Sequence, residues 1–403
     1  MDILKSLFEM TAFQQIGSDP QSLLMLAIGT VLLYLGIKKQ YEPLLLVPIA
    51  FGVILANLPG GGMGVVAADF IQIDEHHYKN LFEIAHDYGI MNYLYFALIK
   101  TGLLPPLIFM GVGALTDFGP MLRNLKLAFF GAAAQIGIFL IFLAAIGLGF
   151  THQEAGSLGI IGGADGPTAI YTTILLAPHL LGPIAIAAYS YMALVPVIIP
   201  LVVKYTCTKK ELMINMKEMD KLFPPKNKIK NIKSVKIGFP IVMIIIIALL
   251  VPSATPLLGM LFFGNLVKEV GTTVGRLTEA ATNTIMNSAT IFLGLTVGAT
   301  MTAELFLQSK TIMIIVGGFL AFAISITGGI FAVKITNLFS KKKINPLIGA
   351  TGLSAVPMAS RVANEIALKH DSQNHVLQYC MASNISGVIG SAVAAGVDRK
   401  SVV

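Results

Sequence analysis

The sequence predicts an all-α polytopic membrane protein, built as two inverted repeats of transmembrane helices, each with a broken or re-entrant helix near the midplane. Three observations predict it: the composition, the placement of the lysines, and a collinear likeness between the two halves of the chain.

Of the 403 residues, 55% are hydrophobic and 12% charged, and the mean hydropathy is +0.78. Soluble domains carry about 25% charged residues, so half that share leaves too little polar surface for a soluble body of this size. The same figures exclude disorder, collagen and a disulfide scaffold. Cys207 and Cys380 form neither a staple framework nor a metal spacing. A net charge of +7 is small for nucleic-acid binding.

The elements follow from hydropathy. Residues 1–13 are amphipathic without a cleavage site and read as a surface helix. Spans are predicted at 22–37, 42–58, 93–116, 126–149, 181–203, 238–252, 254–267, 283–303, 311–335 and 376–397. Residues 127–149, 182–203 and 311–333 contain no charge and reach the ~20 residues a crossing needs. Two further segments, 157–178 and 345–366, are long enough but interrupted by Gly, Pro and polar residues.

Lysines orient the bundle. The stretch Lys204 to Lys236 holds ten lysines against Glu211, Glu218 and Asp220 and reads as a solvated cytoplasmic linker. Lys38-Lys39, Arg123 with Lys126, Lys268 with Arg276, and Lys341 to Lys343 mark other inside loops, which leaves 59–92 and 150–157 outside. With 126–149 running out and 181–203 running in, 157–178 cannot also be a full crossing without moving the ten lysines outside. It therefore dips in from the outer face, and by the same count 345–366 dips in from the cytoplasmic face. Irregular backbone at that depth must be buried in protein or line a cavity. The organisation is a first membrane repeat over 1–203, a linker over 204–237 and a second repeat over 238–403, in a multi-pass protein of the cell (inner) membrane.

The halves match in order. Residues 51–58 resemble 259–266, residues 108–111 resemble 291–294, and Gly159, Gly162, Pro167 and Ala169 align with Gly349, Gly352, Pro357 and Ala359. The offsets are 208, 183 and 190 residues (265 − 57, 294 − 111, 349 − 159). The lysine count makes 93–116 and 283–303 run in opposite directions, so the repeats are inverted, as in many ion-coupled transporters.

The chemistry concentrates in the two broken segments. In the first, Gly162-Gly-Ala-Asp165-Gly-Pro-Thr168 carries one carboxylate at depth. An intramembrane Asp costs at least ~2.5 kcal/mol on insertion scales and marks function by default; capping the half-helix that begins at Pro167 is the bland alternative. The second, with Asn345, Gly349, Thr351, Ser354, Pro357, Ser360 and Arg361, supplies hydroxyl and amide oxygens. Oxygen donors with one carboxylate suit a hard cation such as Na+. Arg361 can attract an anionic substrate or pair with Glu365 at i+4. Tyr189, Ser190 and Tyr191 interrupt 181–203, and Ser383, Asn384 and Ser386 interrupt 376–397. The seven histidines have no HExxH spacing, His76-His77 beside Asp74-Glu75 read as a solvated loop, no GxxxxGK[ST] phosphate loop exists, and Lys217 is not in a biotin-acceptor Met-Lys-Met turn.

Three blocks in order, Gly162 to Thr168, Ser354 to Arg361 and Gly387 to Gly396, resemble the membrane β-subunit of sodium-pumping biotin-dependent decarboxylases, the family acting on oxaloacetate, methylmalonyl-CoA, glutaconyl-CoA or malonate. The resemblance spans nearly the whole chain. It implies a carboxybiotin decarboxylase that exports Na+ and consumes a proton, with biotin carried on a partner. It implies as partners a biotin-carrier protein, a carboxyltransferase subunit and a small membrane subunit, with homo-oligomers within the complex. It makes Asp165 the central Na+ ligand with Asn345 and Asn384, assigns Tyr191 and Ser354 to ion or proton handling, and lines the functional helix with Gly349 and Arg361. The residues alone leave a second class open, a secondary Na+/H+ antiporter or organic-anion carrier without chemistry.

Overall fold

A computed structural model describes residues 11–12, 20–40, 42–66, 71, 79–223, 231–354 and 358–402; within them, the side chains of residues 190, 192–193, 272 and 398–402 are also left aside. The surface helix expected over 1–13, the His76-His77 loop, Pro357 and the lysines at 226, 228 and 230 lie outside these residues, apart from positions 11 and 12. All regular structure in the described residues is helical.

The helices that position the site are α1 (Pro20–Lys38), α2 (Pro43–Ala56), α3 (Leu81–Leu94), α4 (Leu104–Leu115), α5 (Leu125–Ala134), α6 (Ile136–Gly147), α7 (His152–Gly159), α8 (Gly166–Leu176), α9 (Leu181–Thr206), α10 (Ile232–Leu250), α11 (Thr255–Val270), α12 (Met286–Ala299), α13 (Ser309–Phe339), α14 (Leu347–Ala350), α15 (Met358–His370) and α16 (Leu377–Val402). Among the described residues five helical spans are long and apolar enough to cross a membrane: α1, the joined α5–α6, α10, α13 and α16. Two bent pairs bring the count to seven, with α9 bent by 65° between its Pro178–Tyr189 and Leu194–Thr206 arms.

The segment expected as one span over 93–116 is corrected. Helix α3 starts at Leu81, where Asn80 and Glu83 close a reciprocal capping box. It continues through a π turn to Ile99, and α4 then leaves at 64°. Gly102, at φ 70°, and Pro105-Pro106 make the corner, because glycine tolerates the left-handed turn and proline lacks the N–H that would continue the helix. Residues 81–92, expected as an outside loop, are therefore helical apart from a break at Gly89, which stands at φ 79°.

Both interrupted segments are broken in the structure. In the first, α7 runs into a 3-10 turn over Ile160–Gly163, Ala164 takes a left-handed conformation at φ 56°, and α8 restarts after Asp165. A non-glycine residue there is uncommon and marks a backbone held by its surroundings. In the second, α14 stops at Ala350 and α15 begins at Met358. Helix α14 crosses α13 where glycines meet: a Cβ on Gly349 would run into the Gly329 carbonyl, and one on Gly329 into the Gly349 carbonyl. Small residues of this kind let helix backbones approach in membrane bundles.

Among the pairings that tie the halves of the chain together, α2 along α12 and α11 along α4 are the most extensive, followed by α5 along α16 and α9 along α13; the first two end in the same way. Each is finished by a buried asparagine. Asn57, after α2, donates to the Met301 carbonyl at 2.7 Å and accepts from the Ala303 N–H at 3.0 Å; Asn265, in α11, donates to the Gly113 and Thr116 carbonyls at 3.3 and 2.8 Å. Residues 208–223 do not trail in solvent. They form two short helical turns, Lys209–Leu212 and Met216–Leu222, with Leu212 and Met216 buried against the second half.

Candidate functional site

Asp165 stands at the point where the two broken segments meet. It is the N-cap of α8, its Oδ1 accepting the Thr168 N–H at 3.2 Å, so capping engages one of its two oxygens. The other oxygen, Oδ2, accepts two hydroxyls at 2.9 Å each, from Ser354 of the second break and from Ser391 of α16. The backbones also join, the Ser354 N–H donating to the Gly163 carbonyl at 2.9 Å. Asp165 is 5% exposed, and no lysine, arginine or histidine pairs with it among the described residues. A carboxylate this deep needs a counter-charge, and the cluster of protein oxygens leaves that role to a cation or a proton.

Around the crossing, several buried oxygens lack a partner among the described residues: Tyr189 Oη from the helix flanking the first segment, Gln135 Oε1 from the α5–α6 joint, and Asn384 Oδ1 from α16. Tyr189 packs so closely on Gly166 that a Cβ there would collide with its ring. Asn384 is fully buried, and its amide nitrogen holds the second break open by donating to the Thr351 and Leu353 carbonyls at 3.2 and 2.5 Å. These are hard donors of the type an alkali cation takes.

The residues expected at the site divide. Ser354 touches Asp165 directly, and Asn384 borders the second break. Asn345 does not join them. Its amide nitrogen donates to the Leu212 and Ile214 carbonyls at 2.9 and 3.0 Å, its Oδ1 accepts the Leu347 N–H at 3.0 Å, and its own N–H meets Met216 Sδ at 3.4 Å. Asn374 donates to the same two carbonyls at 3.2 and 3.1 Å, so the pair fastens the 208–223 segment over the mouth of the second break. The Tyr191 hydroxyl donates to the Ile315 carbonyl, and its ring packs on Phe319 and Phe322 of α13. Gly349 lies at the glycine crossing with α13. Arg361 is exposed on α15 and makes no ion pair with Glu365. The side chain of Ser190 lies outside the described residues.

Two residues at the crossing escaped the sequence reading, Ser391 and Gln135, whereas Tyr189 was named with Ser190 and Tyr191 but only Tyr191 was carried to the site. Ser391 had a signal, since it follows Asn384 by seven residues and so shares its helix face.

At the far end of α7, Glu154 is 3% exposed. Its Oε1 accepts from Lys310 Nζ at 2.7 Å and faces His179 Nε2 at 3.0 Å, while Oε2 accepts the Thr151 N–H at 2.9 Å. Burial alone would raise its pKa, but the Lys310 ammonium, the Thr151 N–H and His179 together hold it down at about 2.

The family model of the Na+-transporting oxaloacetate decarboxylase beta subunit matches residues 21–401. The chain is 49% identical over 390 residues to the methylmalonyl-CoA decarboxylase subunit beta of Propionigenium modestum, covering 94% of this chain and 95% of that one. It is 45% identical over 421 residues to a probable oxaloacetate decarboxylase beta chain of Vibrio cholerae, at 94% and 95% coverage. It is 42% identical over 443 residues to the oxaloacetate decarboxylase beta chain of Klebsiella pneumoniae, at full coverage of both.

Proposed function

The chain belongs to the family of Na+-transporting oxaloacetate decarboxylase beta subunits, an integral membrane protein of a decarboxylase complex, and from that premise we propose that it is the subunit that decarboxylates carboxybiotin and exports Na+. The biotin arrives on a separate carrier protein, loaded by a carboxyltransferase subunit, with a small membrane subunit completing the assembly. The observation that carries this reading is the Asp165 carboxylate at the crossing of two broken helices, with two hydroxyls on one oxygen and unpartnered oxygens around it.

In the proposed mechanism, Na+ and H+ are alternative counter-charges for Asp165. Decarboxylation breaks the bond from the ureido nitrogen of biotin to the carboxyl carbon. The electron pair returns to nitrogen, CO2 leaves, and nitrogen takes a proton. That proton comes through the site as Na+ displaces it from Asp165, so chemistry and transport share one carboxylate. Ser354 and Ser391 orient their hydroxyls on Oδ2 and turn lone pairs toward the ion, and Asn384 Oδ1 is available as a ligand. Arg361, exposed and without an ion pair among the described residues, matches the planar carboxylate of carboxybiotin with a planar fork of donors. Tyr191 and Gly349 act on α13, the helix that both touch, and Asn345 secures the inner mouth. The two broken segments belong to inverted repeats and exchange the access of the site between the two faces. Copies of the subunit assemble within the complex.

Asp165→Asn keeps the size and the N-cap but removes the charge. In the assembled complex it is expected to abolish Na+-dependent decarboxylation, measured as CO2 release against Na+ concentration; sodium-stimulated activity in that variant sinks the proposal.

A further inference from the structure

Gln135 is the joint of the span formed by α5 and α6, which is otherwise apolar from Leu127 to Gly147. Helix α5 ends at Ala134 and α6 starts at Ile136. At the joint the Gln135 N–H bonds back to the Ala132 carbonyl at 3.1 Å, and the Gly131 carbonyl one residue earlier takes the side-chain Nε2 at 3.1 Å instead. The same Nε2 lies 3.2 Å from the Gly352 carbonyl of the second break and 3.5 Å from the Gly387 carbonyl of α16. All three groups are acceptors, so only the NH2 end of the amide can face them, and the orientation is set by the network.

Oε1 is thereby turned the other way, into the first break. It lies 3.4 Å from where a Cβ on Gly163 would stand, a point that the Cβ of Ser391, whose hydroxyl holds Asp165, approaches to 2.8 Å. Gln135 is 5% exposed and its Oε1 has no donor among the described residues. A buried amide oxygen left unpaired is unfavourable, and one turned toward the break that carries the Asp165 carboxylate suits a monovalent cation held by that carboxylate.

We propose that Gln135 Oε1 is a further ligand of the transported ion, contributed by a third element outside the two broken segments, and that it sets the preference for Na+ over H+ and over Li+. This rests on the reading of Asp165 as the ion site. A cation gathers several oxygens at once, whereas a proton on Asp165 engages one or two, so a neutral ligand favours the cation without adding charge. A fixed amide also sets the size of the cage, which is what separates alkali ions.

The test is made in the assembled complex. Gln135→Met matches the length and removes the oxygen; it is expected to raise the Na+ concentration for half-maximal decarboxylation about tenfold, the loss of one modest interaction, more so at lower pH, and to change the Na+/Li+ ratio. Gln135→Glu keeps an oxygen at the same reach but gives up the NH2 that faces the carbonyls; it is expected to lower turnover while keeping a Na+ requirement closer to the wild type than Gln135→Met does. An amide that only clamps carbonyls lowers turnover in both variants while leaving the Na+/Li+ ratio unmoved, and that result overturns the proposal. Crystals of the wild-type subunit in thallium salt give a second measurement that does not depend on variants. Anomalous density bonded to Oε1 is expected, and density held by Asp165, Ser354 and Ser391 without Oε1 refutes it. The Asp165→Asn variant separates the two readings: Na+ stimulation persisting there defeats the site, whereas an unmoved Gln135→Met defeats only the ligand.

Discussion

Asp165 Oδ2 takes its two hydroxyls from residues 189 and 226 positions away in the chain, so the site exists only when three elements are assembled. Each hydroxyl is a hydrogen bond to a charged group, worth about 1.5–3 kcal/mol. Ser354→Ala and Ser391→Ala are each expected to raise the Na+ requirement for decarboxylation about tenfold or more. Because they share one oxygen, the double variant should depart from the product of the single effects; a Na+ titration of the four proteins reads both, and an unchanged requirement in either single variant removes that serine from the site. Part of this was legible. A carboxylate among glycines in an apolar chain announces itself, and Ser354 sits in a polar run. The choice of Tyr191 over Tyr189 was not legible, because two residues on a helix are about 200° apart and hydropathy does not say which face turns inward. Asn345 was placed at the site by the family resemblance; here its amide nitrogen is engaged by the Leu212 and Ile214 carbonyls more than a hundred residues upstream, a contact no local pattern encodes.

Helix α7 is tied down by the Glu154 carboxylate, which bridges the N-terminus of α7, Lys310 at the start of α13 and His179 ahead of α9. The folded-state pKa of about 2 lies below the ordinary 4.5. Its contribution is therefore fully present above the unfolded value and is lost as pH falls through about 2. Lys310 is 47% exposed, so solvent screens part of the pair, and Lys310→Met should cost about 1 kcal/mol. The penalty should be constant from pH 5 to 8 and shrink below about pH 4, as thermal unfolding of the detergent-solubilised protein measures; a penalty that grows as the pH falls contradicts the ion pair. The breaks themselves were readable in Gly-Pro punctuation. The bend after Ile99 was not, although Pro105-Pro106 lay in view, because a hydropathy window adds residues without regard to direction. The start of α3 at Leu81 was missed for the same reason: its signal, Asn80 with Glu83, is polar.

Across the whole molecule, the two halves of the chain are joined at particular residues. The two breaks touch at Gly163–Asp165 and Ser354, and position 354 lies 190 residues after Ala164 (354 − 164), the offset that aligns the two glycine-rich segments. Asn57 and Asn265, aligned at an offset of 208 (265 − 57), each fasten one half to the other. If the halves are related by a two-fold axis, the two asparagines do the same work. Asn57→Ala and Asn265→Ala should then each cost about 1–3 kcal/mol, the penalty for stranding buried carbonyls, and should add when combined; a large loss from one and none from the other breaks the symmetry. This interlacing also governs how the protein is made. Asn57 finds its partner 244 residues later in the chain, and at roughly 5–20 residues per second of synthesis that is a delay of about 12–50 s. For that time the Asn57 amide keeps only its bond to the Val53 carbonyl of its own helix, at 2.8 Å, and the face of α2 that packs on α12 has no partner, so the first half waits with that face uncovered until the second half emerges.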